Sequence, residues 1–268
     1  MNDLSRTLRA MPTLLRVGFA SSLAYRSEFL VWILATNMPL VMLALWSEVA
    51  REAPIGNYGQ KEFTAYFLIT LIVRQLTGSW VVWEMNAEIR QGTLAQRLLR
   101  PIHPIVSYAA DNLAALPFRA LIAIPVAGIL LYATGRGALA SDPLMWLVLP
   151  LAIAGAWLIS FSVMFLFGTL GLFWESSLAM WDLWFGCYVV FSGYLMPLAL
   201  MPGWMRGLLR LSPFPSLLSF PVEVCLGAIT REALVKDLCI EWGYAVAFLV
   251  VALVLWKRGL AHFAAYGG

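Results

Sequence analysis

The sequence predicts an all-α polytopic membrane protein. Hydrophobic residues make up 61% of the 268 residues and charged residues 12%, with a mean hydropathy of +0.80, a composition far on the apolar side of soluble domains. Apolar runs long enough to cross a bilayer, roughly 20 residues each, recur between short polar stretches. Lipid offers the backbone no hydrogen bonds, so such runs have to be helices. The length suits one membrane domain, residues 1–268. A net charge of +3, with basic residues scattered singly, leaves no surface that tracks phosphates and argues against nucleic acid as a partner.

At the amino end, residues 2–20, Leu4, Leu8, Met11, Leu15 and Phe19 fall on one helical stripe and Arg6, Arg9, Thr13 and Arg16 on the opposite one. An amphipathic helix in the membrane interface is expected; a basic leader that keeps the terminus in the cytoplasm accounts for the same residues. Six spans follow: Phe29 to Val49, Phe63 to Trp83, Ile105 to Ala133, Leu144 to Phe173, Leu178 to Leu200, and Trp242 to Trp256 with a helical lead-in from about Arg231. The third and fourth exceed a bilayer, which implies tilt, extension, or kinks at Pro117, Pro125 or Pro150. Basic residues concentrate at one set of ends, including Arg90, Arg97, Arg100, Lys257 and Arg258, whereas the other loops carry Arg51, Lys61 and Arg136. The positive-inside rule then puts both termini in the cytoplasm.

Residues 84–104, EMNAEIRQGTLAQRLLRPIHP, form a polar cassette between the second and third spans. Gly92 interrupts a helix-compatible run. Thr93 and Gln96 have the spacing of a capping box, and Pro101 ends whatever begins there. A helix of two turns, Leu94 to Arg100, is expected, with Leu94 and Leu98 on an apolar ridge and Gln96, Arg97 and Arg100 on a cationic rim. A helix this short needs a surface to lie against. A docking knob and a plain positive-inside loop both fit the pattern.

Residues 201–236 are too apolar for a solvated loop and too broken by Pro202, Pro213, Pro215 and Pro221 for one helix. Short helices dipping into the outer leaflet are expected, covered by protein because irregular backbone at membrane depth demands it; they act as a gate or form an interfacial hairpin. Inside the spans, Arg74 and Asp111 come to similar depth on antiparallel helices and are expected to pair. Arg119 shares a stripe with Tyr108 and Asn112, a polar seam facing another helix. Phe161, Phe165, Trp184, Tyr188 and Phe191 belong to an aromatic surface on the fourth and fifth spans that suits an amphipathic or lipid-like cargo as well as ordinary lipid-facing packing. Ala152, Ala156 and Ser160 mark a close helix contact.

Catalytic chemistry is missing. His103 and His262 lie outside the spans, no Cys/His cluster has ligand spacing, and no Gly-Lys dipeptide offers a phosphate loop, so catalytic, metal and cofactor sites are expected to be absent. Cys225 and Cys239 share one connecting region and pair only if it is oxidising.

The cassette motifs E-I-R-Q-G-T-L and L-L-R-P-I-H-P, the amphipathic leader, six spans and the external M-P-G-W-M and L-S-P-F-P runs resemble the membrane subunit of an ABC-2-type ABC transporter, in particular a bacterial branch whose permeases often work in pairs. The resemblance implies a permease dimer of the same or homologous subunits in the inner membrane over two ABC ATPase subunits. ATP and magnesium would sit on the ATPase, and membrane lipid would surround the permease. It also implies that the cassette is a coupling helix, with Glu88, Arg90, Gly92, Thr93, Leu94, Leu98, Leu99 and Pro101 at the ATPase contact, that the external segments are re-entrant helices, and that the direction is export. A secondary transporter or channel using Arg74, Asp111 and Arg119 as an ion path is the main alternative, and a noncatalytic scaffold a third.

Overall fold

The computed structural model describes residues 3–24, 38–134 and 139–261. They form helices α1 (Asp3–Ala24), α2 (Met38–Val49), α3 (Gln60–Thr77), α4 (Val81–Gln91), α5 (Leu94–Leu98), α6 (Pro104–Ala114), α7 (Leu116–Thr134), α8 (Pro143–Leu170) and α9 (Ser177–Phe191), then a 3₁₀ turn (Leu198–Leu200), α10 (Gly203–Leu209), α11 (Phe214–Leu217), α12 (Ser219–Leu226) and α13 (Arg231–Leu260). The described residues contain no strand beyond one isolated bridge between Ile55 and Tyr58. Helix starts obey local chemistry. Asp142 accepts the Leu144 amide at 3.0 Å ahead of Pro143, and Thr230 accepts the Ala233 amide at 3.3 Å, each satisfying an amide that the first turn leaves without a partner. Arg231 also donates to Asp142 at 2.7 Å, which joins the starts of α8 and α13 and holds the Asp142 carboxyl below its ordinary pKa.

Among the described residues, four helical runs are long and apolar enough to cross a membrane: Gln60–Gln91, Pro104–Tyr132, Pro143–Leu170 and Arg231–Leu260. They coincide with the predicted second, third, fourth and sixth spans. The apolar stretch of the first run is 78% buried and that of the last 17%, so the second span is an inner helix and the sixth lies at the periphery. The start of the first predicted span, with Phe29, lies outside the described residues, as do Arg26, Arg136 and His262 and the side chains of Leu4, Arg6, Leu8 and Arg9. The fifth span differs from expectation: its helix stops at Phe191, 15 residues long, about 22 Å at the helical rise and short of a hydrocarbon core of about 30 Å. Gly193 turns the chain with φ 93°, a conformation that favours glycine, and the Tyr66 hydroxyl fixes the turn by donating to its carbonyl at 2.7 Å.

Helix α8 is the hub, with α13, α4, α12, α3, α9 and α11 all packed on it. Ala152 and Ala156 are fully buried on this helix, and Ala152 clusters with Leu234 and Leu238 of α13, as the small-residue spacing predicted. Pro125 and Pro150 remain inside helices, whereas the third span breaks at Ala115, just before Pro117, where proline is tolerated because the first turn needs no amide donor. The proline-broken stretch is covered by protein only in its second half: residues 216–222 are buried, whereas Pro202, Trp204, Leu208 and Leu211 are exposed; the Ser219 amide donates to the Ser192 carbonyl at 3.0 Å, and the Ala140 amide to the Cys225 carbonyl at 2.9 Å. All three cysteines are free thiols.

One ionisable group escaped the sequence reading. Glu241 of α13 is wholly buried, and neither carboxyl oxygen has a hydrogen-bond partner among the described residues. Gly155 of α8 makes room for it: a Cβ there would lie 2.7 Å from the Glu241 Cδ and Oε2. A buried polar group without a partner costs about 1–3 kcal/mol. Glu241→Met keeps the length and removes the polar atoms, so it is expected to raise stability by about that amount, read as the midpoint of unfolding of the purified chain. A lower midpoint would show that the carboxyl makes a bond outside the described chain.

Candidate functional site

The cassette folds by a tight reversal. Gly92 ends α4 in the left-handed conformation, φ 73° and ψ 2°, with its amide on the Ile89 carbonyl at 3.2 Å. Thr93 then adopts helical angles, φ −75° and ψ −13°, and its side chain caps nothing. The expected Thr93/Gln96 box is therefore not formed; a cap residue must be extended for its hydroxyl to reach back. Backbone bonds close the turn instead, from the Gln96 amide to the Thr93 carbonyl at 3.0 Å and from Leu99 to Ala95 at 3.2 Å. The helix α5 has five residues rather than the seven expected, because Arg100 already turns toward Pro101.

Arg97 points inward, not into a cationic rim. Its Nε donates to both oxygens of Glu88 at 3.1 Å, and its Nη2 to Glu84 and Glu88 at 2.6 Å each. Nη1 donates to the Ser107 hydroxyl at 2.9 Å and Asp111 at 3.1 Å. All five guanidinium donors are used. The Tyr108 ring lies under the guanidinium at 3.9 Å, within cation–π range, and its hydroxyl donates to Glu88. Burial alone would disfavour the charge; the carboxylates, Glu88 first, more than reverse this and raise the Arg97 pKa.

Three helices meet in this cage. Glu84 and Glu88 lie one turn apart on α4, Arg97 is on α5, and Ser107, Tyr108 and Asp111 share a face of α6. Helix α1 closes it from outside: Gly18 sits against Ala114 and Asp111, and Phe19 stacks on Phe118 at 4.7 Å. Beyond the cage, α4 is locked to α8 and α9. A Cβ on Gly168 would lie 2.7 Å from the Met85 sulfur, Asn86 donates to the Ser177 hydroxyl at 2.8 Å, and Arg90 to the Glu175 carbonyl at 3.1 Å.

The residues implied at the ATPase contact thus divide. Leu94 is wholly buried and Glu88 belongs to the cage; Leu98 is half-buried, as are Gly92 and Thr93; Arg90, Leu99 and Pro101 face outward with Gln96 and Arg100. Leu99 is 86% exposed. The apolar ridge is the anchor of α5, and its opposite side is the free surface.

The Arg74–Asp111 pair is not formed. Asp111 is engaged by Arg97, and the Arg74 guanidinium lies 5.7 Å from the Tyr188 ring. Counting residues from span ends gave depth but not azimuth, and Asp111 faces the cassette. The Arg119 seam does face another helix: Asn112 accepts the Trp80 amide at 3.3 Å, and Arg119 donates to the Gly78 carbonyl. Both meet the gap between α3 and α4, an interruption of the second span that apolar patterning did not signal. Of the aromatic residues proposed along a substrate path, Phe161 and Phe165 are core, stacked at 6.1 Å with Trp157 and Trp256 beside them. Trp184 and Tyr188 line a recess, and Phe191 packs near Phe214 at 6.0 Å.

The described residues form an all-α bundle with long apolar helices and a polar, cross-linked knob at one end, as a membrane protein requires. Residues 32–267 match the family described as ABC-2 family transporter protein, and the chain belongs to that family. No curated protein matches it.

Removing one partner of a buried ion pair costs about 3–5 kcal/mol. Here the low end is expected, since Glu84 and Asp111 keep 33% and 36% of their side chains exposed. Arg97→Ala should therefore release α5, raising hydrogen exchange of its amides by about a hundredfold or more. Arg97→Lys, which lacks the planar fork, should restore only part of the protection. Unchanged exchange in both variants would show that Leu94 alone holds the helix.

Proposed function

We propose that this chain is the membrane-spanning subunit of an ATP-driven exporter in a bacterial inner membrane, docking an ABC ATPase through the outward side of α5. The observation that carries the reading is the Arg97 cage. A solvated loop that merely obeys the positive-inside rule has no need to spend five guanidinium donors on three carboxylates and a hydroxyl. Such a network makes α4, α5 and α6 one body, while Gln96, Leu99, Arg100 and Pro101 stay outside it. A surface that must receive force needs both properties: an exposed contact and a rigid root.

Family members work with ABC ATPase partners, and this reading adds two ATPase copies and a second permease, the same or homologous. ATP and magnesium belong to the ATPase. When its subunits close on nucleotide, the push on α5 passes through the cage to α4 and α6. It continues through Met85–Gly168 and Asn86–Ser177 to α8 and α9, opening a path on the far side. The basic ends near the cassette support a cytoplasmic side for it and for both termini, and in this reading the proline-broken segments lie over the exit at the other face. The cargo is amphipathic or lipid-like. The rival ion path is disfavoured because its one carboxylate, Asp111, is committed to Arg97.

The double variant Leu99→Glu/Arg100→Glu changes only exposed side chains. It should insert and purify normally yet lose the copurifying ATPase and, with it, coupled transport. Retention of both would overturn the docking assignment.

A further inference from the structure

The second span is interrupted at Gly78–Trp80, and two guanidinium groups converge there. A Cβ on Gly78 would lie 3.0 Å from the Arg74 Nη1 and 3.6 Å from the Arg119 Nη1. Arg119 is turned to the Gly78 carbonyl. Arg74 is differently placed: no carboxylate lies within ion-pair distance of it among the described residues, and its buried Nε has no hydrogen-bond partner. Its neighbours are aromatic, the Tyr188 ring at 5.7 Å and the Tyr194 hydroxyl. A cation at this depth without a counter-charge is costly.

Arg74 faces a narrow, open-sided recess with Ser79, Ser160, Trp181, Trp184 and Tyr188 among its walls. The walls come from the interrupted second span, α8 and α9, with Leu217 of α11 at one side. The pocket therefore lies where the helices driven from the cassette meet the segments over the opposite face. The amino end of α4 starts beside Ser79, and a helix start favours negative charge. Each feature favours the same kind of guest: an anionic head for the guanidinium and hydroxyls, and an apolar body for the indole and phenol rings.

We infer that this recess binds the negatively charged head of an amphipathic anion, with Arg74 as its counter-ion and Trp181 and Trp184 against its apolar part. The inference rests on the reading of the chain as an exporter's permease and specifies the charge of its cargo. A carboxylate or phosphate head supplies the ion pair that Arg74 lacks, and the same chemistry is presented by a bilayer lipid headgroup or by a free amphiphile.

The full chain in phosphatidylcholine nanodiscs is titrated with dibrominated stearate, whose bromines quench nearby tryptophan, and with its uncharged methyl ester. A charge-assisted hydrogen bond contributes about 1.5–3 kcal/mol, so the acid should quench saturably at a concentration about tenfold or more below the ester. Arg74→Gln should bring the acid to the ester's level, and Arg74→Lys should retain part of the difference. Ser160→Trp, which fills the recess and leaves the charge in place, should abolish saturable quenching by both; it carries the test if Arg74→Gln does not fold. Exchanging part of the nanodisc lipid for phosphatidylglycerol separates the sources: competition with the acid assigns the site to a lipid headgroup, and no competition assigns it to a free anion. Equal curves for acid and ester in the unaltered chain, or an unchanged acid curve in a folded Arg74→Gln or Ser160→Trp variant, overturn the inference. No ATPase enters the measurement. Failure here with ATPase still released by the Leu99/Arg100 variant removes only the charge preference, whereas binding here with the ATPase retained removes only the docking assignment.

Discussion

The cost of placing charge in an apolar medium shapes this fold more than any other constraint. Arg97 is kept in its cage by three carboxylates, a hydroxyl and an aromatic face. Because these groups come from α4 and α6, solving the local problem of one buried guanidinium also fixes the geometry of the cassette. Five residues of helix would not hold together alone. Leu94 gives α5 its apolar anchor and Arg97 gives it direction, since a guanidinium with all donors committed tolerates little rotation.

Rigidity at the knob matters only if what it is joined to is also rigid. The close approaches continue along α4, where Met85 sits against Gly168 and Asn86 against Ser177, and then along α8, on which six other helices pack. Glycine is used at these contacts for its missing side chain: any Cβ at 155 or 168 would collide with Glu241 or Met85. A displacement at α5 thus meets close-packed side chains with few voids to absorb it. Helix α1, docked at Gly18 and Phe19 against α6 and α7, extends the same body to the amino end.

Much of the architecture was legible because it rests on periodicity and on proline. The positions of the second, third, fourth and sixth spans, the small-residue face at Ala152 and Ala156, and the buried half of the proline-rich stretch follow from patterns that physical chemistry reads directly. The misreadings of Arg97 and Asp111 have one origin, which is azimuth. On α5, Leu94 and Arg97 lie three residues apart and so share a face; had the inward direction of Leu94 been combined with Glu84 and Glu88 one turn apart on α4, the cage was available. Asp111 was matched to Arg74 by depth alone. Nothing in hydropathy distinguishes the Gly78–Trp80 interruption from continuous helix, and the partnerless state of Glu241 depends on what α8 presents to it.

Arg119 and Arg74 show how one interruption serves two ends. Breaking the second span at Gly78 frees a carbonyl that would otherwise be sealed in the helix ladder, and Arg119 takes it. That exchange satisfies an orphaned acceptor and a buried donor together. It leaves Arg74 on the other side of the same break with aromatic rings and, among the described residues, no carboxylate in ion-pair distance. Structural need alone would favour an acid or a second carbonyl at that position, since a cation–π contact contributes about 0.5–2 kcal/mol against a larger desolvation cost. A pocket open to one side, rather than a sealed pair, is the arrangement in which the missing counter-charge arrives with the cargo and leaves with it.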